Sequence, residues 1–101
     1  MNFFQGDILK VAGFKNLFVI VSKNAFIRDT GVFHVCPLLA HCPEGPVHIA
    51  VKGKEGTGGV VVCEQMKLLD PTARGCTRID SLSYAYIMDV SDTIQGIFEY
   101  D

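Results

Sequence analysis

The sequence predicts a mainly β protein in which an antiparallel, barrel-like sheet is followed by one C-terminal α-helix. Short apolar runs recur along the chain, and turns that contain glycine or proline separate them. Apolar spacing of three and four residues occurs near the C-terminus. Strands that follow one another through short turns pair as antiparallel neighbours, and the terminal helix then packs on the outside of the sheet.

Three strands are predicted in the first half of the chain. Leu17–Ser22 is a continuous apolar run, which is typical of a strand buried on both faces. Pro37 lies inside another run and predicts a sheet edge or a bulge, because proline has no N–H to donate. The predicted elements are a strand at Gly6–Val11, a turn at Ala12–Asn16, a strand at Leu17–Ser22, a polar connection with room for one helical turn at Lys23–Gly31, and a strand at Val32–Leu39.

The second half contains the remaining strands and the helix. Ile87, Val90 and Ile94 recur on one face of a helix that Ser83 is placed to cap. Asp70 and Pro71 suit the cap and first position of a single helical turn. The predicted elements are a loop at Ala40–Pro46, a strand at Val47–Lys52, a turn at Gly53–Gly59, one bent strand or two consecutive strands within Gly59–Asp70, the helical turn at Asp70–Arg74, a strand at Thr77–Leu82 and the helix, which includes Ile97 and Phe98.

A polar pair interrupts the apolar segment Gly59–Asp70. Glu64 and Gln65 stand between Val60–Cys63 and the apolar residues that follow. Left buried and unpaired, each of these groups would cost roughly 1–3 kcal/mol, so the pair must emerge into water or find partners. Two interpretations stay open: a strand that surfaces at a bulge or bend, or the wall of a binding site.

Size and charge limit the functional classes. The chain has 101 residues, of which 49% are hydrophobic and 20% charged, so one domain over residues 1–101 is expected. The net charge of −2 gives no global basic field for nucleic-acid binding, which leaves only a local basic patch. No apolar run is long enough to span a bilayer, and the N-terminus lacks the pattern of a signal peptide, so a cytoplasmic protein is expected.

The four cysteines show neither a CxxC pair nor the spacing of a zinc site. Cys36 and Cys63 lie in apolar runs and are expected to be buried thiols. A disulfide framework is not expected in a cytosolic chain of this size. A metal site built from His41, Cys42 and a distant partner is conceivable but not favoured, so neither a metal nor a cofactor is expected.

Four segments, in order, resemble the MazF/PemK (Kid) toxins of bacterial toxin–antitoxin systems. Gly6-Asp7-Ile8 is similar to the opening of the family's first strand, and Leu17–Ser22 followed by Asn24 is similar to its second. Val35–Leu39 resembles the third strand. Val61–Asp70 resembles the segment in which an acidic residue and Gln precede a basic residue and an apolar-Asp ending. The order and spacing hold over nearly the whole chain.

The resemblance implies a small SH3-like antiparallel barrel with a C-terminal helix, usually present as a homodimer. It also implies a metal-independent endoribonuclease that cleaves single-stranded mRNA, in which the ribose 2′-hydroxyl attacks the adjacent phosphate. In that chemistry an Arg stabilises charge on a phosphorane-like transition state, together with a Thr. The implied partner besides RNA is an antitoxin whose disordered acidic tail lies across the RNA groove.

The departures from the family fall on the chemistry. Lys15-Asn16 stands where the family has its catalytic Arg followed by Pro, in a loop that is shorter than usual. Leu39 aligns with the catalytic Thr and has no hydroxyl, whereas Gln65 is retained as a supporting residue. If the chain cleaves RNA, Lys15 would neutralise the phosphate, and His41 would act as general acid or base, because histidine transfers protons near neutral pH.

The expected RNA-binding residues are mostly lysines at strand ends and turns, which would form a groove for an anionic ligand if they converge on one face. Two alternatives to the ribonuclease stay open. One is a catalytically inactive module that binds RNA, an antitoxin or another protein. The weaker one is a CcdB-like gyrase inhibitor, although the chain ends in Phe98-Glu99-Tyr100-Asp101 without a tryptophan. The predicted RNA-binding residues are Lys15, Asn16, Lys23, Lys52, Lys54 and Gln65.

Overall fold

The computed structural model describes residues 2–101, so Met1 of the predicted domain lies outside the described residues. Within this range the chain forms seven strands and two helices. Their bounds are β1 Asp7–Val11, β2 Leu17–Ile20, α1 Asn24–Thr30, β3 Phe33–Leu39, β4 His48–Lys52, β5 Gly58–Val62, β6 Lys67–Leu69, β7 Cys76–Ser81 and α2 Tyr84–Ile97.

The seven strands form one antiparallel sheet. Its order is β4-β5-β3-β2-β1-β7, and β6 pairs with β3 beyond the end of β5. The sheet is open, since among residues 2–101 β4 and β7 do not pair as strands. Its two edges are linked at one end, where the N–H of Lys54 donates to the carbonyl of Ser81 at 2.9 Å. The predicted mainly β fold with a terminal helix is confirmed. Its strands form a curved, open sheet rather than a closed barrel.

Two apolar clusters lie on opposite faces of the sheet. In β2, Val19 belongs to one cluster and Phe18 to the other, which confirms that this strand is buried on both faces. α2 covers the first cluster through Val90, and α1 covers the second through Ile27. Cys36 and Cys63 are buried in the first cluster, as predicted. The alternating side chains of the central strands therefore hold the two helices on opposite faces.

The connection after β2 contains more helix than the sequence predicted. α1 has seven residues, Asn24–Thr30, where one turn was expected. It ends at Gly31, whose φ of +75° lets its N–H reach the carbonyl of Ile27 at 2.8 Å. Ile27 alone among the helix residues is fully buried, and this single anchor explains why the helical periodicity was too weak to detect.

Pro37 lies inside a central strand rather than at an edge. It pairs with Phe18 of β2 on one side of β3. On the other side, β5 pairs only with Leu38 and Leu39, and β6 pairs with Phe33–Val35. Pro37 therefore faces the gap between β5 and β6, where the ladder is interrupted and a missing N–H is tolerated.

The two predicted caps have different outcomes. Ser83 occupies the N-cap position of α2, but its side chain makes no capping hydrogen bond, so that part of the prediction is wrong. Asp70 does cap its turn: its Oδ1 accepts from the N–H of Thr72 at 2.9 Å and from the Thr72 hydroxyl at 2.7 Å. Among residues 2–101, no helix is long and apolar enough to cross a membrane.

Candidate nucleic-acid interface

A depression of about 340 Å³ lies where the β1–β2 loop meets the end of β3. The loop contributes Lys15 and Asn16, and β3 contributes Leu39. The resemblance assigns Lys15 and Leu39 to the family's catalytic Arg and Thr, and Asn16 to the Pro after that Arg. The structure brings these three positions together. The complete lining is Lys15, Asn16, Leu17, Leu38, Leu39, Ala40 and Gly58.

Strand register explains this convergence. Leu17, the first residue of β2, pairs with Leu38 of β3. Asn16, which precedes β2, is therefore brought to Leu39, the last residue of β3. Gly13, with a φ of +90°, allows the tight turn that returns the chain to β2. Asn16 anchors the loop by donating from Nδ2 to the carbonyl of Leu17 at 3.0 Å.

The depression can hold an anion but has few groups for proton transfer. Lys15 is exposed, and among residues 2–101 its ammonium group has no hydrogen-bonding or ion-pair partner, so it is available to a phosphate. The walls are mostly aliphatic, and Leu39 brings a branched hydrocarbon to the place expected for a hydroxyl. The lining contains no carboxylate, imidazole or hydroxyl group.

Two cations that the sequence did not single out pack against the same loop. Lys67 Nζ lies 4.7 Å from the ring centroid of Phe14 and 5.5 Å from that of Phe18. The guanidinium carbon of Arg74 lies 5.0 Å from the Phe14 ring centroid. Each exposed cation–π contact contributes about 0.5–1 kcal/mol. In the sequence, only the aromatic Phe14 beside Lys15 hints at this cluster of cations. Lys67 and Arg74, which pack on Phe14, come from β6 and from the connection between β6 and β7.

The other predicted RNA-binding residues do not gather in this depression. Lys23 lines a separate depression of about 330 Å³ between α1 and α2, and Lys54 lines a third of about 380 Å³ beside β7. Lys52 is exposed at the end of β4, where it pairs with Gly58. Gln65 is exposed at the bend between β5 and β6. Lys15, Lys23 and Lys54 therefore line three different depressions, whereas Lys52 pairs with Gly58, which lines the depression beside Lys15.

His41 and His48 occupy opposite ends of the β3–β4 loop. His41 is exposed and directly follows Ala40 at the rim of the depression. His48 begins β4, and its Nε2 lies 3.0 Å from Oε2 of Glu64. The hydrogen bond with Glu64 raises the pKa of His48 above its ordinary value of 6.5 and lowers that of Glu64 below 4.5.

The structure shows how the polar pair Glu64 and Gln65 is accommodated between the apolar segments. Glu64 finds a partner, and Gln65 emerges into water at a bend that divides the segment into β5 and β6. The sequence showed Glu64 but not its partner, because the two residues are 16 positions apart. The pairing of His48 with Val62 brings them together.

The fold is that of the MazF toxins. MazE–MazF from Deinococcus radiodurans matches with a TM-score of 0.79 at 18% identity, covering 93% of each chain. An endoribonuclease in complex with its cognate antitoxin, from a mycobacterial species, matches with a TM-score of 0.80 at 17% identity, covering 97% of this chain and 98% of that one. A mycobacterial endoribonuclease matches with a TM-score of 0.78 at 18% identity, covering 96% of this chain and 90% of that one.

These likenesses confirm the fold of a MazF-like toxin that the four sequence segments predicted. No family profile matches the sequence, and no curated protein matches it either. The likeness is therefore one of architecture, and the function depends on the chain's own residues.

Proposed function

We propose that this chain is the toxin-like component of a toxin–antitoxin system and a metal-independent endoribonuclease that cleaves single-stranded RNA in the cytoplasm. The observation that carries the proposal is the depression in a MazF fold where Lys15 and Asn16 lie beside the end of β3. Solved proteins of this fold include endoribonucleases, one of them in complex with its antitoxin.

Lys15 takes the role of the cation that faces the phosphate. The ribose 2′-oxygen attacks phosphorus and loses its proton, and the bond to the 5′-oxygen breaks as that oxygen gains one. The products are a 2′,3′-cyclic phosphate and a 5′-hydroxyl. Lys15 stabilises the added negative charge as a point charge, without the bidentate geometry of an arginine.

Proton transfer is assigned to His41 of the β3–β4 loop, and His48, the first residue of β4, is the second candidate for this role. His41 stands at the rim of the depression, beside Ala40. His48 has the better defined environment, because Glu64 orients its ring. His41 is the proposed general acid or base, and a His48→Ala variant is compared with His41→Ala. Lys23, Lys52, Lys54 and Gln65 are proposed as outer RNA contacts.

A second candidate function is binding without cleavage. The aliphatic lining around Leu39 favours it, because the depression has no hydroxyl, carboxylate or imidazole group of its own. Such a protein would hold RNA, an antitoxin or another protein through Lys15 and the cations around Phe14. The two candidates predict the same effect of Lys15→Ala on RNA affinity but differ in whether RNA is cut.

The test is cleavage of a long single-stranded RNA by the purified chain, with and without EDTA. If the ribonuclease proposal holds, cleavage persists in EDTA, and Lys15→Ala lowers the rate by about 10²–10³-fold, as for loss of one charge-stabilising donor. His41→Ala lowers the rate by about 10²-fold or more, as for loss of a general acid or base. Lys10→Ala, an exposed lysine of β1, is the matched control and leaves the rate unchanged.

Binding of the same RNA, measured by fluorescence anisotropy across a salt series, separates the two candidates. Lys15→Ala reduces the salt dependence by the equivalent of one phosphate contact, about 0.7 in the log–log slope. Salt-dependent binding with intact RNA identifies the binding module. A folded protein that neither binds nor cuts RNA would contradict the ribonuclease and the RNA-binding module, and only binding of an antitoxin or another protein would remain. If only His48→Ala abolishes cleavage, the proton-transfer role moves from His41 to His48.

We also propose a homodimer and an antitoxin partner. Large apolar side chains remain exposed on and beyond α2, and a surface of this kind is typical of a protein that has a partner. Sedimentation equilibrium at micromolar concentration is expected to give twice the chain mass of 11.1 kDa. A strict monomer would contradict the dimer. The exposed side chains concerned are Tyr84, Met88, Ile97, Phe98 and Tyr100.

A further inference from the structure

A cysteine, a histidine and a glutamate form a connected row at the start of β4, outside the lining of the proposed RNA site. The Sγ of Cys42 lies 3.8 Å from Nδ1 of His48 and 3.6 Å from the carbonyl oxygen of Pro43, so the thiol has two acceptors within reach. The other ring nitrogen of His48, Nε2, lies 3.0 Å from Oε2 of Glu64. Each nitrogen of the imidazole therefore faces a different partner, a thiol on one side and a carboxylate on the other.

The backbone holds this row together. Gly45 and His48 exchange two backbone hydrogen bonds, each 3.1 Å long, so the loop after β3 folds back on the start of β4. This turn brings Cys42 to the His48 ring. The pairing of His48 with Val62 places the ring beside Glu64, two residues farther along the chain. Three separate segments thus supply the three side chains.

The arrangement matches the requirements of an activated nucleophile: a thiol, a base within reach and a third group that orients the base. When His48 carries its proton on Nε2 and donates it to Glu64, Nδ1 presents a lone pair to the thiol of Cys42. Transfer of the thiol proton to Nδ1 gives a thiolate beside an imidazolium. Glu64 stabilises that imidazolium, and the Pro43 carbonyl adds to this by raising the pKa of His48.

Burial disfavours the thiolate form of the other three cysteines. Burial raises the pKa of Cys36 to about 12 and that of Cys63 to about 11, with a contribution from Glu64 in both cases. Burial also raises the pKa of Cys76. Cys42 is only partly buried and stands beside the imidazole, so it is the thiol that is suited to react.

We propose that Cys42 is a reversible thiol-modification site for low-molecular-weight disulfides, with His48 as the base and Glu64 as the residue that positions it. The Cys42 thiol gives its proton to Nδ1 of His48, and the thiolate attacks one sulfur of the disulfide. The new Cys42 Sγ–S bond forms as the disulfide S–S bond breaks, and the leaving thiolate takes the electron pair and a proton. A second small thiol reverses the exchange.

The site does not depend on the proposed ribonuclease activity, and its test needs no RNA. The purified full-length chain is incubated with glutathione disulfide at pH 7, and mixed-disulfide formation is followed by intact mass and peptide mapping. We expect one rapidly added glutathione per chain, on Cys42. Cys42→Ser removes it, whereas the matched control Cys76→Ser retains it.

Two further variants test the roles of His48 and Glu64. A free thiol is only about 3% ionised at pH 7, and the lower nucleophilicity of a stabilised thiolate offsets part of the gain, so His48→Ala slows the reaction roughly threefold to tenfold. Glu64→Gln also slows it and lowers the His48 pKa toward its ordinary 6.5, read from the imidazole proton shifts in NMR. Circular dichroism verifies that both variants fold.

The proposal is overturned if Cys42 in the folded chain reacts no faster than in the urea-unfolded chain, or if glutathione adds first to another cysteine. It is also overturned if folded His48→Ala and Glu64→Gln both react at the wild-type rate. If the variants behave as expected and the chain does not cut RNA, the Cys42 site is supported and only the ribonuclease proposal fails.

Discussion

Asp80→Ala is expected to lower the melting temperature on the order of 10 °C or more, because three part-buried backbone amides lose their acceptor. Asp80 is 5% exposed and lies in β7. Its Oδ1 accepts from the N–H groups of Glu55 (3.0 Å) and Ser81 (2.7 Å), and its Oδ2 accepts from the N–H of Thr57 (3.1 Å). This carboxylate links the β4–β5 turn to the opposite edge of the sheet.

The effect of Asp80 has a defined pH dependence. Burial raises the pKa of this carboxyl, but the amide hydrogen bonds outweigh burial and lower it from 3.8 to about 2. Because the folded-state pKa lies below the ordinary value, the carboxylate stabilises the fold above about pH 4, and this contribution is lost as the pH falls through about 2. The difference in melting temperature between wild type and Asp80→Ala therefore becomes smaller from pH 5 to pH 2, by an amount comparable with the difference at neutral pH.

Thermal unfolding followed by circular dichroism at several pH values measures this difference. Burial raises the pKa of Asp7, but Asp7 is present in both proteins and its titration largely cancels in the comparison. The matched control is Asp29→Ala, an exposed aspartate of α1 whose removal has little effect. A constant difference from pH 5 to pH 2 would contradict the assigned role of Asp80.

Gly6→Ala is expected to destabilise the protein by about 2–4 kcal/mol, through a positive φ and a steric contact together. Gly6 has a φ of +91°, which a residue with a Cβ adopts at a cost. A Cβ there would also lie 2.5 Å from Cδ1 and 2.7 Å from Cγ1 of Ile87, a residue of α2. The glycine of the Gly6-Asp7 segment thus allows α2 to approach the start of β1.

Urea denaturation can separate the two contributions. Gly31 has a φ of +75° but nothing within 4 Å of its Cβ position, so Gly31→Ala reports the backbone cost alone, about 1–2 kcal/mol. In an Ile87→Ala background the contact is removed, and Gly6→Ala should then cost no more than Gly31→Ala. Equal costs of Gly6→Ala in the two backgrounds would show that Ile87 exerts no steric pressure.

Local patterns predicted most of the fold. The apolar run of β2 predicted a strand buried on both faces, and Phe18 and Val19 indeed enter opposite clusters. The spacing of Val90 and Ile94 predicted α2 because a helix that covers a sheet must repeat its apolar contacts every turn. α1 was underestimated because its single buried residue, Ile27, leaves no repeat to detect.

The site was only partly predictable, because its contacts join distant segments. Lys15, Asn16 and Leu39 were located through the segments around them, and strand register brings them together. No local pattern predicts that Arg74 packs on Phe14, or that Glu64 reaches His48. These contacts depend on how separate turns meet once the sheet has curved, and a side chain at a turn carries no periodic signal of its neighbour.

The pairing of β1 with β7 has a consequence for how the chain is made. β1 ends at Val11, and its partner strand begins at Cys76, so most of the described chain must be synthesised before that ladder can form. Pairing between segments so distant in sequence is slow, because loop-closure entropy must be overcome before the contacts form. During translation β1 therefore has only β2 as a partner, and the other edge of β1 stays unpaired until β7 leaves the ribosome.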